Sequence, residues 1–252
     1  MLRRKERLTR GEFLAEGPQA VRESLAAAQL PRILLVTQRA AERHHELLSR
    51  ATVAGVDTVL LTEDEFATIT DSTTPQGIAA VCPTLDVDLE TALAGTPRLV
   101  VCCAEIRDPG NAGTVIRCAD AAGADAVILG SESVDLYNPK TVRASTGSIF
   151  HLPIVADARL STALADCRAR GLQILAAAGG ASYGLDELVR SGELARPTVW
   201  LMGNEARGLD ADQLALADRA VSVPIYGAAE SLNLSTAAAI CLYASAFAQR
   251  AG

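Results

Sequence analysis

The sequence predicts an α/β protein in two parts: a small amino-terminal α/β unit and a larger carboxyl-terminal domain built on a parallel sheet. Three observations predict it. Short apolar runs alternate with segments of helical periodicity along most of the chain. The alternation breaks once, at residues 83–97, where an acidic, extended, proline-bounded stretch marks a boundary. The 252 residues, 49% of them apolar, suffice for one large domain or two small ones with a substantial core.

Residues 1–11 form a basic arm. Arg3, Arg4, Lys5, Arg7 and Arg10 face a single Glu6, so the first ten residues carry +4 and the rest of the chain −11. Such an arm reads either as a disordered solubilising end or as a contact to a polyanion. Residues 12–82 form the amino-terminal unit. Phe13-Leu14-Ala15-Glu16-Gly17 leads into a helix from Pro18 to about Ala28, with Val21, Leu25 and Ala28 at helical spacing. Ile33-Leu34-Leu35-Val36 reads as a buried strand, followed by a polar helix from about Ala40 to Ser49. His44 and His45 on it have no partner at metal-ligand spacing. Asp57-Thr58-Val59-Leu60-Leu61 is the next strand, then a helix from Thr62 to about Ile69, then a strand at 77–82. Residues 83–97 are the linker, with a helical turn or two from Leu89 to Ala94.

Residues 98–252 alternate again. Strands are expected at 98–103, 125–129, 172–176, 197–202 and 219–223, and helices at 112–122, 161–170 and 233–249. This pattern predicts a mostly parallel sheet covered on both faces, with any ligand beyond the carboxyl ends of its strands.

The chain carries a formal charge of −7, which argues against a nonspecific nucleic-acid binder with a basic field. Its six cysteines form no C-x-x-C pair and mostly sit in apolar runs. They read as buried reduced thiols of a cytosolic protein, with neither disulfides nor a metal site expected. No apolar run approaches a membrane span, and the basic start is not followed by an apolar signal segment. A cytoplasmic location follows as an expectation.

Three loops at strand ends carry the chemistry. Glu105-Ile106-Arg107-Asp108-Pro109-Gly110-Asn111-Ala112-Gly113-Thr114-Val115-Ile116-Arg117 joins a buried strand to a helix that Asn111 can cap. The full G-x-G-x-x-G fingerprint is absent, so it does not read as a dinucleotide loop. Gly203-Asn204-Glu205-Ala206-Arg207-Gly208 follows a second strand, where Gly203 permits close backbone approach. In the third, Pro224 ends a strand, Gly227-Ala228-Ala229 leave a loop almost without side chains, and Ser231, Asn233 and Ser235 precede a long small-residue helix. Taken singly, each also fits an ordinary strand–loop–helix connection.

Together, Asn111-x-Gly113-x-x-x-Arg117, Gly203-x-Glu205-x-x-Gly208-Leu209, and Val223-Pro224-Ile225-x-Gly227 with Ser231-Leu232-Asn233-Leu234-Ser235 resemble the three motifs of the SpoU (TrmH) family of RNA 2′-O-ribose methyltransferases, in the SPOUT superfamily. The resemblance covers residues 98–249. The first eighty residues are similar to the RNA-binding domain of its ribosomal-RNA, thiostrepton-resistance-like branch. Ile225 departs where methionine is frequent, and Ala122-Gly123 where Phe-Gly is frequent.

The resemblance implies a trefoil-knotted carboxyl-terminal domain, a homodimer sharing its active site, and S-adenosylmethionine held by backbone at Gly203, Val223, Ile225 and Leu232. It implies methylation of a ribose 2′-hydroxyl, most simply in 23S ribosomal RNA. Transfer RNA is the alternative substrate, and a noncatalytic RNA-binding protein the alternative class. Arg117 matches the family's proposed base; because a guanidinium is not normally deprotonated, it reads equally as a phosphate anchor beside the reacting sugar. Asn111, Glu205, Ser231 and Asn233 would orient nucleotide and loops, and Arg107, Lys140 and Arg143 would contact RNA phosphate. The alanine-rich face Leu234, Ala238, Cys241, Ala244 and Ala248 could supply dimer contact or intrachain core.

Overall fold

The computed structural model describes residues 4–251, whose elements in chain order are as follows. The first stretch holds α1 (Arg4–Arg10), β1 (Glu12–Glu16), α2 (Pro18–Ser24), β2 (Ile33–Thr37), α3 (Gln38–Arg43), α4 (His45–Val53), β3 (Asp57–Leu61), α5 (Glu63–Ile69) and β4 (Ile78–Pro83). Then come α6 (Leu89–Ala92), β5 (Leu99–Cys103), α7 (Pro109–Ala122), β6 (Ala126–Gly130), α8 (Pro139–Ser145), β7 (Ile154–Ala158), α9 (Leu160–Ala169) and β8 (Gln173–Ala177). The chain ends with β9 (Tyr183–Gly184), α10 (Leu185–Ser191), β10 (Thr198–Met202), α11 (Ala211–Ala215), β11 (Arg219–Ser222) and α12 (Leu234–Arg250).

The chain folds into two compact units, and the division differs from the expected one. Residues 135–151, which include α8, pack with the amino-terminal unit, while 86–134 and 152 onward form the second. In the first unit a four-stranded sheet runs β1-β4-β2-β3, antiparallel except for the β2–β3 pair. Leu14, Phe66, Ala79 and Val81 form a core beneath it. Phe13 anchors the inserted segment: its ring lies 4.7 Å from that of Tyr137 and 5.9 Å from that of Phe150. The Leu85 N–H donates to the Tyr137 hydroxyl.

Three local readings are corrected here. Residues 12–16 form β1, because Gly11 and Gly17, both at positive φ, isolate a run whose Phe13, Leu14 and Ala15 are buried. The helix expected at 40–49 is two helices, broken where His44 adopts φ −116° and ψ 33°. The basic arm is largely a helix, α1, and Arg7 on it is buried in an ion pair with Asp135. Arg3 lies outside the described residues.

The second unit is a seven-stranded, wholly parallel sheet of order β7-β6-β5-β10-β8-β11-β9. β7, α10, α11 and the short β9 were not foreseen. The stretch expected as a linker contributes α6, and Ala92 and Leu93 are buried in this unit's core. β10 lies between β5 and β8, although β8 precedes it in the chain. Pairing places Cys103, Met202, Ala177 and Val221 in one row across β5, β10, β8 and β11. Four strands therefore deliver their following loops to one edge. Two further backbone bonds, Ala104 N–H to Met202 O at 2.9 Å and Ala178 N–H to Val221 O at 3.0 Å, extend that row.

α12 covers this sheet beside α7. The two helices run in parallel at a constant offset: Asn233 meets Asn111 at one end and Tyr243 meets the carbonyl of Ala121 near the other. Small residues permit the approach, and Leu234, Ala238 and Cys241 are buried within the chain. The six cysteines are free, and burial pushes the thiols of Cys82, Cys103 and Cys241 up to about 12. Among the described residues no helix is long and apolar enough to cross a membrane, and no group of three or more His, Cys, Asp or Glu side chains could hold a metal ion.

Trp200 on β10 is fully buried, and its indole N–H donates to Ser245 Oγ on α12 at 2.9 Å. Removing one partner strands the other without water. Ser245→Ala should destabilise the protein by about 1–3 kcal/mol, read from the urea midpoint. Adding Trp200→Phe should make the pair's coupling visible in a double-mutant cycle; strictly additive effects would contradict the bond's assigned weight.

Candidate functional site

The loops after β8, β10 and β11 and the start of α12 enclose a pocket of about 470 Å³. Its floor and walls are mostly small or aliphatic: Ala177 to Gly180, Met202, Gly203, Val223, Ile225, Leu232 and Leu234 line it. Gly203, Val223, Ile225 and Leu232, four residues singled out in the sequence, thus meet in one cavity. Glu205 and Ser231 line it as well. The loop after β8, with Ala178, Gly179 and Gly180, was not singled out. Its signal was available, since it is another run of tiny residues at the carboxyl end of a predicted strand.

The loop after β10 is tightly closed. Asn204 and Gly208 exchange two backbone hydrogen bonds of 2.9 Å, and Gly208 sits at φ 68°. Asn204 Oδ1 accepts from the N–H groups of Ala206 at 2.9 Å and Arg207 at 3.3 Å. A Cβ on Gly203 would lie 2.4 Å from the Gly208 carbonyl carbon, so only glycine allows this closure.

Glu205 then reaches across to the loop after β5. Its carboxylate accepts from the N–H groups of Arg107 at 3.2 Å and Asp108 at 2.9 Å, and from Asn111 Nδ2 at 3.3 Å. Partial burial by itself raises its pKa. The backbone donors, with Asn111, outweigh that and hold the carboxyl below the usual glutamate range. Asn111 is not the cap of α7; Asp108 is, accepting the Asn111 N–H at 2.8 Å behind Pro109. This leaves the Asn111 side chain to face Glu205 and, through its Oδ1, to accept from Asn233 Nδ2 at 3.0 Å. Asn233 caps α12 with its own Oδ1, which takes the Ser235 N–H at 2.9 Å. Glu205, Asn111 and Asn233 therefore form one chain of contacts joining all three motif loops.

Beneath them lies Glu105, only 5% exposed. Its Oε1 is 2.6 Å from Arg107 Nε, and its Oε2 accepts from Arg207 Nη2. Asn204 Nδ2 donates to the Glu105 carbonyl at 3.3 Å. Glu105 and Arg207 had not been assigned roles; one lies beside a strand end and the other inside a motif, but pairing between them is a long-range contact.

Arg117 is exposed on α7 and is not among the residues lining the pocket. Arg143 and Lys140 lie on α8 in the first unit. Arg143 pairs there with Glu16 at 3.4 Å and with Asp71, so its charge is already matched within that unit. The pocket lining carries two carboxylates, Glu205 and Glu230, and no lysine or arginine.

Residues 98–243 match the SpoU rRNA Methylase family, and residues 1–80 match the MRM3-like substrate binding domain. The chain is 38% identical to the 23S rRNA (guanosine(2553)-2'-O)-methyltransferase RlmP of Bacillus subtilis, over 95% of this chain and 90% of that protein. It is 31% identical to the 23S rRNA (guanosine-2'-O-)-methyltransferase RlmB of Nitrosomonas europaea, over 84% of this chain and 81% of the relative. Among solved structures, the SpoU methyltransferase AviRb of Streptomyces viridochromogenes in complex with AdoMet superposes with a TM-score of 0.85 at 29% identity, over 99% of this chain and 95% of that one. The AdoMet-bound rRNA methyltransferase of Sinorhizobium meliloti does so with a TM-score of 0.83 at 30% identity, over 97% and 90%. A wholly parallel sheet ending in three linked motif loops, read with these matches, leads to one conclusion: the chain belongs to the SpoU rRNA methylase family.

Proposed function

We propose that this protein transfers a methyl group from S-adenosylmethionine to a ribose 2′-hydroxyl of 23S ribosomal RNA. The observation that carries the reading is the pocket: two motif loops and the loop after β8 meet in one cavity with two carboxylates and no basic side chain, and hydrogen bonds at Glu205 and Asn233 tie the third motif loop to them. A nucleotide bearing phosphates would find no counter-charge there. A nucleoside with a sulfonium and an ammonium would find Glu205 and Glu230, apolar walls for its base and backbone edges around Gly203. The volume lies in the range of small-ligand sites, roughly 300–1,000 Å³. Gly203, Val223, Ile225 and Leu232 would hold the cofactor. When bound, S-adenosylmethionine supplies an electrophilic methyl on a good leaving group.

The protein's own part is positioning. Glu205 fixes the loop that carries Asn111, and Asn111 fixes Asn233 at the start of α12, so the hydroxyl acceptor meets a preformed rim. Ser231, which lines the pocket, completes that rim. Arg117 acts as a fixed cation that anchors the phosphate beside the target ribose and favours the developing alkoxide. Since it does not line the pocket of its own chain, it serves the pocket of a second copy in a homodimer. The face for that contact is not the alanine-rich one, whose Leu234, Ala238 and Cys241 are buried within the chain. It is the adjoining stripe of α12, where Ile240, Tyr243 and Phe247 are exposed, Phe247 to 70%. The knotted threading and the cytoplasmic location belong to this same reading.

Three outcomes test it. Calorimetry should show S-adenosylmethionine binding, and tritiated methyl groups should pass to unmodified 23S rRNA; cofactor binding without labelling of any RNA would favour a noncatalytic protein. Arg117→Ala should lower transfer roughly 100- to 1,000-fold, as loss of a transition-state donor does, with cofactor affinity retained. Phe247→Glu should yield a monomer by analytical ultracentrifugation and lose transfer; a dimer that survives it would place the interface elsewhere.

Glu205 adds a pH dependence. Its folded-state pKa is depressed, so its clamp is fully present above the ordinary glutamate value of about 4.3 and is lost as pH falls through the lower folded value. Glu205→Gln should flatten that acid limb of cofactor affinity. At neutral pH it should lower kcat/KM by about tenfold, the low end for charge-assisted bonds because solvent partly replaces them. An unchanged acid limb would assign it to another group.

A further inference from the structure

The family resemblance assigns Arg107 to RNA phosphate but leaves two neighbours unexplained: Glu105, a buried carboxylate, and Arg207, in the loop after β10. We propose that Arg107 and Arg207, aligned by their shared contact with Glu105, form the seat for one phosphodiester of the RNA substrate, with Glu105 as the positioning residue. The proposal rests on the RNA-methyltransferase reading and adds a binding site to it.

Four observations support it. First, a carboxylate side chain only 7% exposed needs compensation, and it has two cations where one would neutralise it. The cluster therefore carries a net +1, the complement of a singly charged phosphodiester. Second, the side chains of Arg107 and Arg207 are 63% and 66% exposed, so their outer N–H edges face solvent. Guanidinium forks suit phosphate oxygens. Third, the pair is pre-ordered. The Arg107 N–H is held by Glu205, the Arg207 N–H by Asn204 Oδ1 at 3.3 Å, and Asn204 itself by the Glu105 carbonyl. These bonds fix the backbone at both arginines while Glu105 holds one edge of each guanidinium, and such prior ordering lowers the entropy lost when an anion docks. Fourth, the place is right. Ala206 and Gly208, on either side of Arg207, both line the pocket, so the cationic pair stands at the rim of a cavity whose own lining is acidic.

Three other ion-paired arginines differ in this respect. Arg143 faces two carboxylates, Glu16 and Asp71, while Arg168 faces Asp218 and Arg219 faces Glu193. At Glu105 two guanidinium groups share one carboxylate, so positive charge there exceeds its partner.

The test uses the full-length protein, with a wild-type control that establishes transfer to 23S rRNA. If wild type transfers to no RNA, the functional reading fails, and this seat with it. If wild type transfers, Arg207→Ala decides the seat alone. It should weaken RNA binding on the order of tenfold, and the slope of log Kd against log salt should shrink by about 0.7–0.9, the loss of one phosphate contact. S-adenosylmethionine affinity and the thermal midpoint should stay as in wild type. Arg207→Lys should recover most of the salt slope but less of the affinity. Glu105→Gln should leave the salt slope intact and lower kcat, because the cations remain but lose their alignment; a rise in KM alone would reduce Glu105 to a fold element and overturn its positioning role. An unchanged salt slope in Arg207→Ala overturns the seat. A fall in S-adenosylmethionine affinity also overturns it, by giving the pair to the cofactor's carboxylate instead.

Discussion

The second unit depends on a coincidence of register. Four parallel strands, whose order in the sheet is not their order in the chain, stop at one row, Cys103, Met202, Ala177 and Val221. Parallel pairing makes this possible, because every carboxyl end points the same way and each exit loop is released at one edge. A shift of a single residue in β10 would move Gly203 off that edge and turn each side chain of the strand to the opposite face. The fully buried Trp200, tied to Ser245 of α12, resists such a slip. The motif loops need few side chains for this reason: the sheet brings them together, and tiny residues let backbone supply the walls.

Across that edge the charges are sorted. The cavity lining is acidic, through Glu205 and Glu230, while the cations Arg107 and Arg207 stand outside it over Glu105. A cationic methyl donor and an anionic polymer can thus approach one place without competing for the same groups. The overall charge of −7 conceals this arrangement, because many arginines elsewhere are matched locally. Average charge speaks to solubility and long-range steering, and local pairing decides where an anion can rest.

The large elements were legible in the sequence because they rest on periodicity. The β5, β8 and β10 runs are short, largely apolar and bounded by glycine, proline or polar residues, β11 alternates before Pro224, and α12 has a long small-residue pattern. The pocket residues were legible for a related reason: glycine at a strand end and a cap before a helix are local signals. What was missed depends on distant partners. β1 was read as a lead-in because only pairing with β4 identifies it as a strand. Asp108 rather than Asn111 caps α7, since Pro109 moves the helix start back. The split of Arg107 and Arg207 over Glu105 joins positions a hundred residues apart, and no spacing rule reaches that far.

The placement of residues 135–151 bears on how the chain can be divided. The segment matched to the methylase family, 98–243, contains this excursion, yet Leu136, Tyr137, Val142 and Ile149 are buried within the other compact unit. Three peptide crossings, at 85/86, 134/135 and 151/152, therefore stitch the two units into one covalent fabric. Severing the chain once at the start of the matched segment would strip those four apolar side chains of their shelter, so the borders that descent draws along this polypeptide are not the seams along which it can be unpicked.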